Sequence, residues 1–412
     1  MEKENIQILI ETSLRCGGNC SGCALTSLER MSQVEINWEL LEYKFKKVFQ
    51  YLNFKKEEEI EAISIFLGQG DHFLLKEEEM ILFMEKCSYL VPKHLIHKTV
   101  VLMTASAIGK RKTIQEKMDL LYELSLKHQI PFFIQVVFDP KKIKVNDKFE
   151  KIYIQNILYF KEKCGMTELT INLGNDLIDN MSPKEFHQWV KKYQFKHVEL
   201  NWVVNKQTKD MWIQYSEKML NWLKNFLEIN ALEHEYEINF IPFLSRALLY
   251  KEIEMHNLFH KIQKDFMNNI YIDYYGNLLL SQVGLVSNLI PLKERTLLFT
   301  KKNYEEKSIQ EEIEQKLKKQ SLHLMQNIYK NAVCLDCEFK NVCAQIGSYA
   351  WLSVEQNQKD CFWKIKDFLQ YIEQYLEKYP LYKNTRFDKN PIQHILLKKE
   401  NNELFDYFEK KF

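Results

Sequence analysis

A strand-then-helix alternation, repeated six times through residues 6–227, constrains this chain more than any other feature. The apolar runs at 6–10, 62–67, 99–103, 132–138, 169–173 and 198–204 are short and rich in β-branched and aromatic side chains. Strands buried on both faces read this way. After each run comes a longer amphipathic stretch, for example WELLEYKFKKVFQYL, KEEEMILFMEKCSYL, TIQEKMDLLYELSLKH and TKDMWIQYSEKMLNWLKNFL. The helix before the sixth run opens SPKEF: Ser182 suits the N-cap, Pro183 the first helical position, and Glu185 completes a capping box. Six such units predict an α/β fold with a parallel sheet and outer helices, either an open sheet or an incomplete (β/α) barrel. Catalytic groups then belong on loops at the C-terminal strand ends.

The 412 residues exceed what one core usually fills, about 250 to 300 residues, so a main domain with an appendage is expected. The alternation fades near residue 267, where NNIYIDYYGNLLLSQVG reads as a hairpin turning around Gly276 and Asn277. A charged helical stretch, EEKSIQEEIEQKLKKQ, and a later one, CFWKIKDFLQYIEQYLEKY, follow. Domains are placed at 1–245 and 246–380, with a polar tail at 381–412.

Charge is balanced, 57 Lys+Arg against 56 Asp+Glu, which leaves no global field to attract nucleic acid or anionic lipid. No apolar run reaches the roughly 18 residues of a membrane span, and MEKENIQILIETSL does not resemble a signal peptide. A cytoplasmic protein is expected, with no nucleic-acid or membrane partner. Nine cysteines in a reducing compartment then favour metal ligation over disulfides.

Three of them fall in CGGNCSGC, as Cys16, Cys20 and Cys23, just past the first predicted strand. A structural zinc site wants four closed ligands, and the nearest downstream histidine is His72. A cubane iron–sulfur cluster also takes four, so three thiolates leave one iron open. A zinc site completed from elsewhere and free thiols are the other two readings of these residues.

This CxxxCxxC, in the loop after the first strand of a repeating strand and helix pattern, resembles the radical S-adenosylmethionine (SAM) superfamily. The resemblance implies a partial (β/α)6 TIM-like barrel whose three cysteines hold a [4Fe–4S] cluster. It further implies that SAM chelates the open iron and is cleaved by an electron from the cluster to methionine and a 5′-deoxyadenosyl radical, which abstracts hydrogen from a substrate. In one respect the chain departs from the family, where an aromatic residue that packs near the adenine precedes the third cysteine. Gly22 stands there.

The second run ends FLGQGDHF, in which Gly68, Gly70 and Asp71 resemble the family's GGE-like segment, the receiver of the SAM amino group. Other strand ends supply Thr104, Ser106, Gln135, Asn172 and Asn201 as candidates for the methionyl carboxylate, ribose or substrate. Each serves equally well as a core or loop hydrogen-bond partner. Asp139, Glu199 and Asp273 are carboxylates near predicted strand ends, and none is singled out as an acid or base. Cys87 and Cys164 fall on predicted helices, as small buried hydrophobes do.

Cys334, Cys337, Cys343 and Cys361 make a second, complete four-ligand group, able to hold zinc or a cubane. Their spacing resembles the SPASM domain, a C-terminal extension of radical SAM enzymes with auxiliary iron–sulfur clusters. Ser281 stands five positions after Gly276 and Gly347 four after Cys343, where that pattern has cysteines. The resemblance thus implies a degenerate SPASM-like domain with one fully cysteine-ligated auxiliary [4Fe–4S] cluster, in an electron-transfer or structural role. Gln282 stands where the formylglycine-forming branch carries a carboxylate base, so that branch is not expected.

The first strand starts near residue 5, which leaves no room in this sequence for a leader-binding domain ahead of it. What the resemblance implies is hydrogen abstraction from a peptide or protein substrate, with flavodoxin or ferredoxin as electron donor. The same chemistry on a small metabolite is the alternative, and a zinc-stabilised binding module is the reading from another class.

Overall fold

All six predicted strands form in the computed structural model, which describes residues 4–10, 15–18, 20–23, 30–31, 38–52, 56–68, 70–144, 146–164, 168–201, 208–253, 269–272, 277–279, 296–297, 332–345, 361 and 364–380. They are β1 (Glu4–Ile10), β2 (Ile60–Phe66), β3 (Thr99–Ala105), β4 (Phe132–Val136), β5 (Glu168–Asn172) and β6 (His197–Asn201). Between and after them run α1 (Trp38–Leu52), α2 (Glu77–Leu90), α3 (Arg111–His128), α4 (Asp147–Cys164), α5 (Asn175–Asn180), α6 (Pro183–Lys192) and α7 (Lys209–Glu233). Ser182 caps α6 as expected: its hydroxyl accepts from Glu185 N at 3.2 Å, and the Glu185 carboxylate accepts from Ser182 N at 2.8 Å.

The strands β1 to β4 lie in sequence order and pair in parallel, and so do β5 and β6 with a short seventh strand, β7 (Glu237–Ile238), that the pattern did not announce. A parallel bridge from Val137 to Thr170, with Phe138 N donating to Thr170 O at 2.8 Å, links β4 to β5. The other unannounced pairing is at β1. Its free edge takes β8 (Asn269–Ile272) in parallel, and β8 pairs antiparallel with β9 (Asn277–Leu279), which pairs with β10 (Thr296–Leu297). The hairpin expected late in the chain therefore extends the main sheet. Asn277 begins β9, whereas Gly276, Ser281, Gln282, Gly347, Asp273 and the tail 381–412 lie outside the described residues.

Strand alternation sorts the apolar side chains onto two faces. Ile63, Ile65, Val101, Met103, Phe132 and Ile134 join the large core under the helices. Val100, Leu102 and Phe133, with Phe66 beside them, form a separate small cluster on the opposite face. Cys87 is buried in the large core, as expected of a small hydrophobe.

The C-terminal segment docks on the last helices of the repeat. In α11 (Ile365–Lys378), Ile365, Phe368, Leu369, Ile372, Tyr375 and Leu376 are buried at helical spacing. That face meets α8 (Phe240–Leu248) and α7: Phe368 packs on Phe240, and Lys378 and Tyr379 reach Glu228 at 2.7 and 2.8 Å. Lys251 joins Glu338 and Glu373 at 2.7 and 2.9 Å. A boundary at 245/246 falls inside α8.

Candidate active site

The cysteine loop follows β1 and is gripped from two sides. On one side, Asp71 N donates to Arg15 O at 2.7 Å, which ties the end of β2 to the residue before Cys16. There Gly68 has φ 103°, a left-handed turn that suits glycine, and Gly70 is buried beside Asp71. Asp71 accepts from Phe73 N at 3.1 Å and from the Ser106 hydroxyl, so both of its oxygens are engaged by the protein. Burial pushes its carboxyl up, against those hydrogen bonds. Thr104 contributes through its backbone: its N–H donates to His72 Nδ1 at 2.9 Å, while His72 Nε2 meets Leu67 O at 3.0 Å. A ring that accepts on Nδ1 is neutral, and burial lowers the His72 pKa to about 4.

On the other side the loop rests on the end of β5. Ser21 N donates to Asp176 Oδ2 at 2.8 Å, and Asp176 N donates back to Ser21 Oγ at 3.1 Å. Lys141 pairs with the same carboxylate. Next to this clasp, a Cβ built on Gly22 would lie 2.2 Å from Leu173 O, and one on Gly174 would lie 2.8 Å from Gly22 N. The departure at Gly22 thus has a steric cause, because an aromatic side chain there would run into the β5 backbone. Neither Asp176 nor Gly174 was singled out from the sequence. The signal available was the LGND that closes the fifth run, a glycine and an acid at a helix start.

The Cys16 and Cys20 thiols both lie beside Gly18, and the Cys23 thiol is close enough to couple to both. A Cβ on Gly18 would lie 3.3 Å from Cys16 Sγ and 3.8 Å from Cys20 Sγ, and Gly18 N donates to Cys16 Sγ at 3.3 Å. Burial raises the Cys16 pKa to about 11, with Asp71 and Cys23 adding to the rise. Burial also pushes Cys20 well up, helped by Asp139, Cys23 and Cys16. No group of three His, Cys, Asp or Glu side chains among the described residues is close enough for a single metal ion. A tetrahedral zinc would need sulfurs about 4 Å apart. Three coupled thiols would supply three ligands of a metal centre and leave a further position to an outside ligand.

The second cysteine group is likewise gathered and free of disulfides. Cys334 lies in α9 (Ala332–Leu335) and Cys343 in α10 (Lys340–Gln345). Cys337 N donates to Cys334 O at 3.2 Å, and Cys343 N to Phe339 O at 2.8 Å. Burial raises Cys343 well above the ordinary thiol range, with Cys361, Cys337 and Cys334 all contributing, and raises Cys361 to about 11. Four coupled thiols are the number of ligands that a closed metal centre takes.

Deeper on the face of the small apolar cluster, Gln135, Thr170 and Glu199 meet. Gln135 lies opposite Thr104 in the β3–β4 register, and Thr170 opposite Glu199 in β5–β6. Two residues further along the same strands, Asn172 lies opposite Asn201, and Asn172 also borders Gly22. Cys16, Gly68, Gly70, Asp71 and Ser106 are thus brought together on one flank, Asn172 on the other, and Gln135 below.

No protein-family model and no curated sequence matches the chain. Among solved structures it superposes on native anSMEcpe with bound AdoMet at a TM-score of 0.56, covering 92% of this chain and 98% of that one at 14% identity. The chain has the fold of anSMEcpe. A second structure, native anSMEcpe with bound AdoMet and Cp18Cys peptide, gives a TM-score of 0.55 over the same shares at 15% identity. Known as a radical SAM enzyme, anSMEcpe shares with this chain a likeness of fold. No helix among the described residues is long and apolar enough to cross a membrane.

Proposed function

We propose that this protein is a radical SAM enzyme that abstracts hydrogen from a peptide or protein substrate. One observation carries the reading: three coupled cysteines in no disulfide on the loop after β1, in a fold that superposes on an AdoMet-bound enzyme. A partial (β/α)6 barrel suits the parallel order and the two-faced strands. The solved anSMEcpe structure with AdoMet and a peptide supports a peptide as substrate. Gln282 argues for a modification other than formylglycine formation.

When bound, a [4Fe–4S] cluster with SAM on its open iron supplies the 5′-deoxyadenosyl radical. The chain's own residues do the rest. Cys16, Cys20 and Cys23 ligate through thiolates, so each buried thiol gives up its proton on loading. The two grips, Asp71–Arg15 and Asp176–Ser21, set the loop against the ends of β2 and β5. Gly68 and Gly70 allow backbone to approach the methionyl group, with Ser106 and Thr104 beside them. Phe66, Leu102 and Phe133 keep water from the floor of the chamber. Cys334, Cys337, Cys343 and Cys361 hold an auxiliary cluster that has no open iron, which suits electron transfer or structure, with a flavodoxin or ferredoxin as donor.

The test is anaerobic reconstitution with iron and sulfide of the wild type and of a Cys16→Ala/Cys20→Ala/Cys23→Ala variant. About eight irons should fall to about four, with 5′-deoxyadenosine formed from SAM by the wild type alone. Zinc in place of iron, or SAM cleavage by the variant, refutes the proposal and leaves a zinc-stabilised scaffold.

A further inference from the structure

Glu199, on the face that carries Gln135 and Thr170, makes no ion pair with a described residue. Its Oε2 accepts from Gln135 Nε2 at 2.9 Å and from Thr170 Oγ1 at 3.3 Å, and Oε1 accepts from no described group. Three strands cooperate to hold it, since β4, β5 and β6 each contribute one side chain. Two neutral donors leave the charge of this half-buried carboxylate without a counter-charge. The usual remedy is a positive partner in hydrogen-bond contact.

Around the carboxylate the same face is prepared for a ligand. Asn172 and Asn201, two residues further along β5 and β6 toward the cysteine loop, make no side-chain hydrogen bond to a described residue. Val100, Leu102, Phe133 and Phe66 lie on the apolar side.

We propose that Glu199 receives a positively charged nitrogen of the substrate, a lysine or arginine side chain or a free amine, while Gln135 and Thr170 fix the carboxylate. Asn172 and Asn201 then offer donors and acceptors to the amides of a peptide. This deepens the reading of the chamber as a substrate site and rests on it.

The experiment compares two blocked tripeptides, acetyl-alanyl-lysyl-alanyl-amide and its norleucine counterpart, by calorimetry on the reconstituted full chain. The lysine peptide should bind at least about tenfold more tightly, or about 1.4 kcal/mol. The preference should vanish in Glu199→Gln, which keeps the shape and the hydrogen bonds, and persist in Glu199→Asp, which keeps the charge. Equal binding of the two peptides by the wild type overturns the assignment without any variant, so a misfolded variant does not decide the matter. Retention of the preference by Glu199→Gln overturns it as well. In parallel, SAM affinity is measured in Glu199→Gln: an unchanged value supports the assignment, and a tenfold loss hands the carboxylate to a SAM hydroxyl and overturns it. Failure of the wild type to cleave SAM sinks the radical reading alone, because the charge preference is read by binding.

Discussion

Replacing Gly22 by alanine tests whether the cysteine loop is locked to the end of β5. The added Cβ would meet Leu173 O at 2.2 Å, Leu173 C at 2.9 Å and Asn172 C at 3.3 Å. All three are backbone atoms, and none can swing aside as a side-chain tip does. Overpacking of this kind costs about 1 to 3 kcal/mol, and the absence of a soft neighbour places Gly22→Ala at about 3. Gly174→Ala differs, because its closest contact is Ser21 Oγ at 2.4 Å, a movable hydroxyl, followed by Gly22 N at 2.8 Å. Removing that hydroxyl should relieve about half the cost of Gly174→Ala and none of the cost of Gly22→Ala. The assay is a double-mutant cycle in denaturant on the metal-free chain, with iron content after reconstitution as the second readout. Ser21→Ala alone should cost about 1 kcal/mol through the lost bond to Asp176 N. A Gly22→Ala protein within about 0.5 kcal/mol of wild type and with full iron loading would refute the close approach.

Asp176→Ala removes the acceptor of Ser21 N and the partner of Lys141, and should cost about 1 to 3 kcal/mol. Hydrogen exchange at residues 15–23 should rise in this variant, whereas unchanged protection would show that the clasp does not hold the loop. His72 adds a pH dependence. Its folded pKa is lowered from 6.5 to about 4, so between those values the unfolded chain takes up a proton that the folded chain refuses. Stability contributed by the neutral ring is therefore complete above pH 6.5 and lost as pH falls toward 4, by about 3 kcal/mol. Denaturant midpoints at pH 7 and pH 4.5 should fall further in wild type than in His72→Leu. Equal falls would mean that His72 titrates alike in both states.

Much of this molecule is readable from local rules. Six apolar runs became six parallel strands, and Ser182 with Glu185 formed the expected capping box, because period and capping act over a few residues. Both cysteine groups were visible as spacings, since most of their members lie within a few residues of one another. Tertiary structure alone decided which distant residues meet. That β8 would pair with β1, 262 positions apart in register, follows from an open sheet edge and not from either strand's own pattern. Likewise Asp71 and Ser106, each legible as a polar strand-end residue, turned out to bond to each other, and Glu199 drew its meaning from Gln135 and Thr170 on neighbouring strands. The residue types and their order determined the alternation and the thiol chemistry. Packing determined the rest: a parallel sheet turns every second residue of each strand toward one shared space, and only the register says which of them stand side by side.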